Sequence, residues 1–286
     1  MRGERDTVVV VGGGPAGLMA ATQARIAVPG VHVVLLERMP RLATKLRITG
    51  KGRCNLTNSA ELDEFMAHFA FPDEARADPF FLRNAFARFF APDLVAFFAS
   101  IGVETVEERG GRVFPASNDA HHVADALAGY AQKHGVEIRL RSRVTELLRR
   151  EGRVTGVVLE DGERMTVGAI VIATGGASYP GTGSSGDGYR LARQVGHHVL
   201  PPRPALVPLV IAGSEPKRMM GLSLRNVDVR LLLNGVEFAR EFGEMLFTHY
   251  GVSGPIILTL SGPAVQRLGK GKVDMCINLK PELDSD

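Results

Sequence analysis

The N-terminal part of the chain alternates between apolar runs and a helix-forming segment. Thr7 to Val11 is a run of β-branched residues that ends in glycines, Ala16 to Ala27 has helix-forming composition, and Val31 to Leu36 is a second apolar run. Short apolar runs bounded by turn residues are typical of buried strands. The order of strand, glycine-rich loop, helix and strand therefore predicts a β-α-β unit.

The next part of the chain has a helical pattern rich in phenylalanine. Ten of the 14 phenylalanines lie between Phe65 and Phe98. We interpret them as the packed core of a helical insertion over about residues 60–102, because apolar residues at helical spacing normally face a core. An aromatic substrate box is the alternative.

A helix and several strands follow. The pattern predicts a helix over Ala120 to Lys133, with Asn118 or Asp119 as its cap and Gly135 as its stop, and then a strand over Val136 to Leu140. Three further short strands joined by turns predict a β-meander over Val144 to Leu148, Val154 to Leu159 and Glu163 to Val167.

The organisation changes after a further apolar run. Ala169 to Ala173 is apolar on both faces, which predicts a central parallel strand. The proline-rich stretch from Leu200 to Pro208 then precedes a mainly β segment, in which Asn234-Gly235 has the composition of a hairpin turn. Strands are expected over Val207 to Ile211, Asn226 to Leu233 and Val273 to Asn278.

Composition narrows the class of protein. A hydrophobic content of 45% and a charged content of 23% are near the averages for soluble globular proteins. The formal charge of +3 is too small to indicate a nucleic-acid partner, and there is no apolar run long enough to cross a membrane. Cys54 and Cys276 form neither a CxxC motif nor a metal-ligand spacing, so we expect no metal and a cytoplasmic setting. The oligomeric state is left open.

The first glycine-rich loop carries the most specific signal. Gly12, Gly14 and Gly17 satisfy GxGxxG around Pro15 and Ala16, after a predicted strand and at the start of a predicted helix. In this motif the glycines permit a tight turn, a close approach of pyrophosphate to the backbone, and close packing of helix on strand. The helix N-terminus supplies amide donors to the phosphates. The loop therefore predicts dinucleotide binding.

The type of dinucleotide depends on the surrounding elements. Glu37 lies at the end of the second strand, where a carboxylate accepts hydrogen bonds from ribose hydroxyls and disfavours the 2′-phosphate of NADP. The helical insertion, the meander and the strand ending Ala173-Thr174-Gly175-Gly176 follow the order of FAD-binding oxidoreductases. This resemblance implies FAD, with the chain passing near it again at Ala173 to Gly176. Arg38 and Val144 are further expected contacts of the cofactor.

A second loop, from Lys45 to Asn58, combines four cations with glycines and asparagines. We interpret it as a wrap around the pyrophosphate and flavin, in which Lys45, Arg53, Cys54 and Asn55 contact the cofactor. A solvated basic turn is the alternative.

Residues Gly52 to Asn58 resemble the Gly-Arg-Cys-Asn-x-Thr-Asn signature of a bacterial flavoprotein family labelled aminoacetone oxidase or NAD(P)/FAD-dependent oxidoreductase. Further matching stretches run over Arg112 to Pro115, Ala173 to Gly188 and Leu246 to Pro255. Some members of that family reduce ring double bonds of oxo-bile acids.

The resemblance implies an α/β fold in which a Rossmann-like FAD-binding domain of the glutathione-reductase type, with a β-meander, is split by an inserted, mainly β domain. We therefore assign residues 1–199 to the FAD-binding domain and 200–286 to part of the inserted domain. In the family the chain then returns to the flavin; here the sequence ends at Asp286, so an apparently truncated inserted domain is expected.

Few side chains are diagnostic of catalysis, because the flavin would carry the hydride. Cys54 is a candidate for tuning the flavin, with a buried apolar thiol as the alternative. His249 and Tyr250 are candidate proton donors, with an interior histidine and an interdomain tyrosine as the alternatives.

The leading hypothesis is an FAD-dependent oxidoreductase that transfers a hydride through flavin N5 to or from a small or ring-shaped organic substrate, with NAD(P)H as a candidate electron donor. A NAD-binding dehydrogenase or regulatory module, and a catalytically silent fragment of a flavoprotein, are the alternatives.

Overall fold

The computed structural model describes residues 7–69 and 79–282, and the strands within them form four sheets. The strands are β1 Thr7–Val11, β2 His32–Leu36, β3 Thr57–Asn58, β4 Thr105–Glu108, β5 Arg112–Pro115, β6 Glu137–Arg139, β7 Val144–Arg150, β8 Arg153–Leu159, β9 Arg164–Thr166, β10 Ala169–Ile172, β11 Leu209–Val210, β12 Ser223–Leu233, β13 Val236–Thr248, β14 Gly251–Ser253 and β15 Val273–Asn278. The α-helices are α1 Pro15–Ala27, α2 Leu62–Ala67, α3 Arg83–Phe86, α4 Ala91–Ser100, α5 Ala120–Lys133, α6 Asp187–Gln194, α7 Glu215–Arg218 and α8 Pro255–Arg267.

The described chain divides into two units, which we call unit 1 (residues 7–69 and 79–200) and unit 2 (residues 201–282). Unit 1 is built on a four-stranded parallel sheet with the order β10-β1-β2-β6. Because neighbouring side chains of a strand point to opposite faces, Val10 packs with α1 and α5, whereas Val9 and Val11 pack with the meander β7-β8-β9. Both faces of the sheet are thus covered.

Most local predictions for unit 1 are confirmed. The β-α-β unit, the helix α5 and the three meander strands occur at the predicted places. Asp119 is the cap of α5, where its carboxylate accepts a hydrogen bond of 2.8 Å from the His121 N–H, and Gly135 follows the helix with a positive φ of 77°.

The prediction of a central position for β10 is wrong. In the described chain β10 pairs only with β1 and is an edge strand of the parallel sheet. Val171 and Ile172 are 37% and 38% exposed. An apolar run is compatible with burial on both faces, but it does not specify how many neighbouring strands pair with it.

The prediction of a packed helical core in the phenylalanine-rich segment is only partly confirmed. The described part contains three short helices, α2, α3 and α4, and only Phe98 of its phenylalanines with a described side chain is buried. Phe65 contacts the rings of Phe86 and Phe90 edge-on, whereas Phe81 is 76% exposed. Phe71 lies outside the described residues.

Nowhere in the described chain is there a helix long and apolar enough to cross a bilayer.

Unit 2 contains a five-stranded sheet with the order β11-β14-β13-β12-β15, and its neighbouring strands pair antiparallel. The hairpin turn at Asn234-Gly235 is confirmed, with positive φ at both residues. The sequence pattern did not predict β13, whose alternation is interrupted at Gly243, or α8, which contains Pro263. Ile257 and Leu260 of α8 pack against the apolar face of the sheet.

Candidate functional site

A cleft in unit 1 lies beside the carboxyl ends of β1, β2 and β10 and the start of α1. Its empty volume, which includes space open to solvent, is about 940 Å³. We call it the β1–α1 cleft. Eleven of the sequence-predicted cofactor residues line it: Gly12, Gly14, Pro15, Ala16, Glu37, Arg38, Lys45, Val144, Ala173, Thr174 and Gly175.

Two glycines of the GxGxxG motif are required by packing. Gly12 has a φ of +109°, and a Cβ built on it would lie 2.5 Å from the carbonyl oxygen of Ala173. A Cβ on Gly17 would lie 1.8 Å from the carbonyl oxygen of Gly12. A Cβ on Gly14 would meet no protein atom within 4 Å. Gly14 is therefore the glycine at which the backbone is open to a ligand.

The N-terminus of α1 is free to bind an anion. Its first turn contains no acidic residue, and none of the described side chains caps it. The first N–H groups of a helix have no partner within the helix, and the helix dipole places partial positive charge there. Ala16, in this turn, lines the cleft. The arrangement suits a phosphate or pyrophosphate.

Glu37 is held rigidly at the end of β2. It is 8% exposed; its Oε2 accepts a hydrogen bond of 2.6 Å from the Gly13 N–H, and its Oε1 accepts one of 2.7 Å from the Met39 N–H. Each carboxylate oxygen can accept a further hydrogen bond. Glu37 can therefore bind hydroxyl groups of a ligand in the cleft.

Three cations line the cleft, and two of them share one carboxylate. Arg38 and Arg143 both donate to Asp187, the first residue of α6. Burial acts to raise the pKa of Asp187, but the hydrogen bonds and charge of Arg143, together with the charges of Arg38 and Arg190, outweigh it and lower that pKa. Lys45 donates to the Ser178 Oγ at 3.2 Å, and burial lowers the pKa of its ammonium group.

Thr174 has a buried hydroxyl that no described group pairs. It follows β10, and the Ala173 N–H donates to the Val11 carbonyl at 2.8 Å, which fixes the turn. The Thr174 Oγ1 is inaccessible to solvent and lacks a partner among the described residues, yet the residue lines the cleft. Leaving a buried hydroxyl unpaired costs about 1–3 kcal/mol. The hydroxyl lies against Gly188 of α6, where a Cβ built on Gly188 would be 2.3 Å from it, and so it is not exposed to the cleft.

The second predicted loop lies mostly outside the lining. Arg53 donates to Glu108 and Asn118, and its guanidinium lies 4.2 Å from the centre of the Phe114 ring. The Asn55 amide, in the orientation that satisfies its neighbours, donates to the carbonyls of Thr57 and Val113.

Cys54, Gly17 and Gly176 are likewise absent from the lining. Cys54 is fully buried in the apolar core with a φ of +62°, and burial raises the pKa of its thiol. This placement favours the alternative of a buried apolar thiol over a role as a flavin-tuning thiol.

His249 and Tyr250 lie in unit 2, directly after β13. Their ring centres are 4.6 Å apart and nearly perpendicular, and both residues are exposed. This exposure does not favour the alternative of an interior histidine. The backbone carbonyl of Tyr250 accepts a hydrogen bond of 3.2 Å from the Ile211 N–H.

Several residues that line the cleft were not predicted from the sequence: Ser142, Arg143, Thr182, Gly183, Ser184 and Asp187. The density of glycine and hydroxyl residues from Thr182 to Gly188 was the available signal, since such loops often bind phosphate or a cofactor. Gly183 and Gly186 indeed have positive φ values of 94° and 83°.

The parallel sheet, the GxGxxG turn and the cleft beside the strand ends define a Rossmann-like dinucleotide-binding domain with a β-meander. The chain belongs to the family described as the HI0933-like protein Rossmann domain, whose model matches residues 6–272. The predicted fold class and the predicted family are thereby confirmed.

Two curated relatives resemble almost the whole chain. A 3-dehydro-bile acid delta(4,6)-reductase from Clostridium scindens is 33% identical over 282 residues, which cover 98% of this chain and 66% of that protein. A ribosomal RNA dihydrouridine synthase from Escherichia coli is 33% identical over 287 residues, which cover 98% of this chain and 65% of that protein. This chain therefore spans slightly less than two thirds of the length of these relatives. Both are named as enzymes, so the family is one of enzymes.

Among solved structures, the E. coli quinol fumarate reductase FrdA is similar with a TM-score of 0.50 and 18% identity, covering 77% of this chain and 43% of that chain. This likeness concerns the fold.

Proposed function

We propose that this protein is an FAD-dependent oxidoreductase that binds FAD in the β1–α1 cleft and reduces a carbon–carbon double bond conjugated to a carbonyl group. The observation that carries the proposal is the uncapped N-terminus of α1, which opens into a cleft that is also lined by the Glu37 carboxylate. These are the groups that bind the pyrophosphate and the ribose of a dinucleotide.

FAD fits the residues present. The amides of α1 would hold the pyrophosphate, Glu37 would accept hydrogen bonds from the ribose, and Lys45 would offset phosphate charge. FAD, when bound and reduced, would supply a hydride from N5 of its ring system.

The substrate class is inferred from what the two relatives' names share. A delta-4 bond in a 3-oxo steroid and the C5=C6 bond of uracil are both conjugated to a carbonyl, and both names denote saturation of such a bond. The carbonyl makes the β-carbon accept a hydride and the α-carbon accept a proton. We favour a small or ring-shaped molecule as the substrate over RNA, because the net charge is only +3.

The chain offers two candidates for the proton donor. His249 has a ring N–H and Tyr250 has a phenolic O–H that can donate a proton, and both residues are accessible. We further propose NAD(P)H as the electron donor and the cytoplasm as the location; the free thiols of Cys54 and Cys276 are consistent with a reducing compartment.

The first test is the visible absorption spectrum of the purified protein, followed by denaturation and chromatography of any released chromophore. Flavin bands and released FAD are expected. An anaerobic titration with NADH and NADPH then identifies the donor, and the reduced protein is offered a 3-oxo-Δ4 steroid or a uridine-containing RNA. A colourless protein that also fails to bind added FAD would contradict the proposal.

A further inference from the structure

Asp187 lies between two arginines at the wall of the β1–α1 cleft. The Arg143 Nε and Nη2 donate to its two carboxylate oxygens at 3.1 and 3.2 Å, and the Arg38 Nη1 donates to Oδ2 at 3.2 Å. Its side chain is 12% exposed, and those of Arg38 and Arg143 are 31% and 32% exposed. Arg38 also donates to the Ser185 Oγ at 2.6 Å. Both guanidinium groups are thus directed at the loop that begins α6.

The position of Arg38 in the sequence relates this ion-pair cluster to recognition of the ribose 2′ position. Arg38 directly follows Glu37, the acid at the end of the second strand. At this place an acid accepts hydrogen bonds from a free ribose 2′-hydroxyl, whereas a nearby arginine accommodates the 2′-phosphate of NADP. The sequence therefore places an acid that favours a free 2′-hydroxyl next to an arginine that favours a 2′-phosphate. Whether Arg38 can bind a 2′-phosphate depends on its contacts in the fold.

Two carboxylates and two guanidinium groups lie at this wall. Glu37 and Asp187 oppose Arg38 and Arg143, and all four residues line the cleft, with Lys45 as a further cation of the lining. A 2′-phosphate brings about two negative charges at neutral pH. It would have to compete with Asp187 for both guanidinium groups, in a partly desolvated place where charge repulsion is strong.

We propose that Asp187 is a specificity-determining residue that engages Arg38 and Arg143 and so makes the cleft reject nucleotides with a 2′-phosphate. NADPH, which carries that phosphate, then cannot displace the cofactor from its own site. This inference rests on the proposed function, because it takes the adenosine half of FAD to lie beside Glu37.

The test measures nucleotide preference by calorimetric titration of the protein freed of flavin. ADP and adenosine 2′,5′-bisphosphate are titrated into the wild type and into Asp187→Asn, and the ratio of the two dissociation constants is compared. In Asp187→Asn, the affinity for adenosine 2′,5′-bisphosphate is expected to rise about tenfold relative to the affinity for ADP. This is the effect of one newly available charge-assisted hydrogen bond. Circular dichroism checks the fold, and Asp187→Ser replaces the asparagine variant if that does not fold.

Two controls separate selectivity from structure. Glu160→Gln removes the other carboxylate to which Arg143 donates, at 3.0 Å, but Glu160 is outside the cleft lining. The ratio of the two dissociation constants in Glu160→Gln should stay at the wild-type value. Adding Arg38→Gln to Asp187→Asn should reverse most of the gain, because it removes a guanidinium that the phosphate would use.

The outcomes distinguish the two proposals. If the wild type binds FAD and ADP but Asp187→Asn weakens both nucleotides equally, Asp187 only holds α6 in place and this inference is overturned. If the wild type binds neither FAD nor any adenine nucleotide, the proposed function fails, and the inference fails with it.

Discussion

Arg47 donates a hydrogen bond of 2.6 Å to Asp125, and this ion pair connects a wall of the β1–α1 cleft to helix α5. The Arg47 side chain is 8% exposed and that of Asp125 is 69% exposed. Arg47 also donates to the Leu42 carbonyl and approaches the His121 Nδ1 at 3.0 Å. The residues just before it, Ala43 to Leu46, line the cleft. The nearly buried Arg47 thus anchors this segment of the cleft wall to α5.

Arg47→Met is expected to weaken FAD binding and to lower the free energy of unfolding by about 1–2 kcal/mol, because charge-assisted hydrogen bonds are lost while Asp125 remains solvated. Urea unfolding and flavin-fluorescence titration measure the two effects. Asp274→Asn, which breaks the exposed Lys272–Asp274 pair, is the control and should change neither quantity measurably. Unchanged flavin affinity in Arg47→Met would show that the pair does not position the cleft wall.

The same pair predicts a dependence of stability on pH. The hydrogen bond and charge of Arg47 lower the pKa of Asp125 in the folded protein, although burial acts in the opposite direction. Its stabilising effect is therefore present above the unfolded pKa of about 3.9 and is lost as the pH falls through the lower folded value. The stability difference between wild type and Asp125→Asn should be constant near neutral pH and shrink below about pH 4. If the stability difference instead disappeared between pH 8 and 6, a titrating group other than Asp125 would be responsible for it.

The Rossmann unit could be predicted because its determinants are local. The apolar runs, the glycines at the turn and Glu37 lie within one short stretch, and each has a steric or electrostatic reason. Asp187 and Arg38 are 149 residues apart in sequence, and no periodicity relates them. Arg53 was expected at the cofactor because of the cations around it, yet it donates to Asn118, 65 residues away. Loop composition indicates that a ligand binds nearby, whereas tertiary pairing decides which cations face it.

Substitutions in the glycine motif should separate a defect in stability from a defect in FAD binding. Gly17→Ala places a methyl group 1.8 Å from a backbone oxygen and should cost several kcal/mol of stability or prevent folding. Gly14→Ala meets no protein atom within 4 Å, and Gly14 has a φ of −78°, so its stability should stay within about 0.5 kcal/mol of the wild type. Its FAD affinity should nevertheless fall, because the methyl group occupies the cleft. Thermal unfolding and FAD titration check both, and wild-type affinity in Gly14→Ala would mean that the pyrophosphate binds elsewhere.

Cys54 and Cys276 should differ sharply in reactivity. Cys54 is buried and its thiol pKa is raised, whereas Cys276 is exposed. Iodoacetamide should therefore label only Cys276 in the folded protein and both thiols in urea, as read by mass spectrometry. Cys54→Ala should retain FAD and reductase activity. Rapid labelling of Cys54 in the folded state, or loss of the flavin reaction in Cys54→Ala with FAD still bound, would restore it as a catalytic candidate.

Removing the proton donor should slow catalysis without disturbing the flavin. His249 and Tyr250 are exposed, and their rings contact each other, so His249→Gln and Tyr250→Phe should cost little stability. If either residue protonates the substrate, its variant should lower kcat by about 10²-fold or more while the flavin spectrum and its reduction by NAD(P)H stay unchanged. The single variant that shows this loss identifies the donor. Wild-type kcat in the double variant would exclude both residues and leave protonation to water or to a part of the protein outside the described chain.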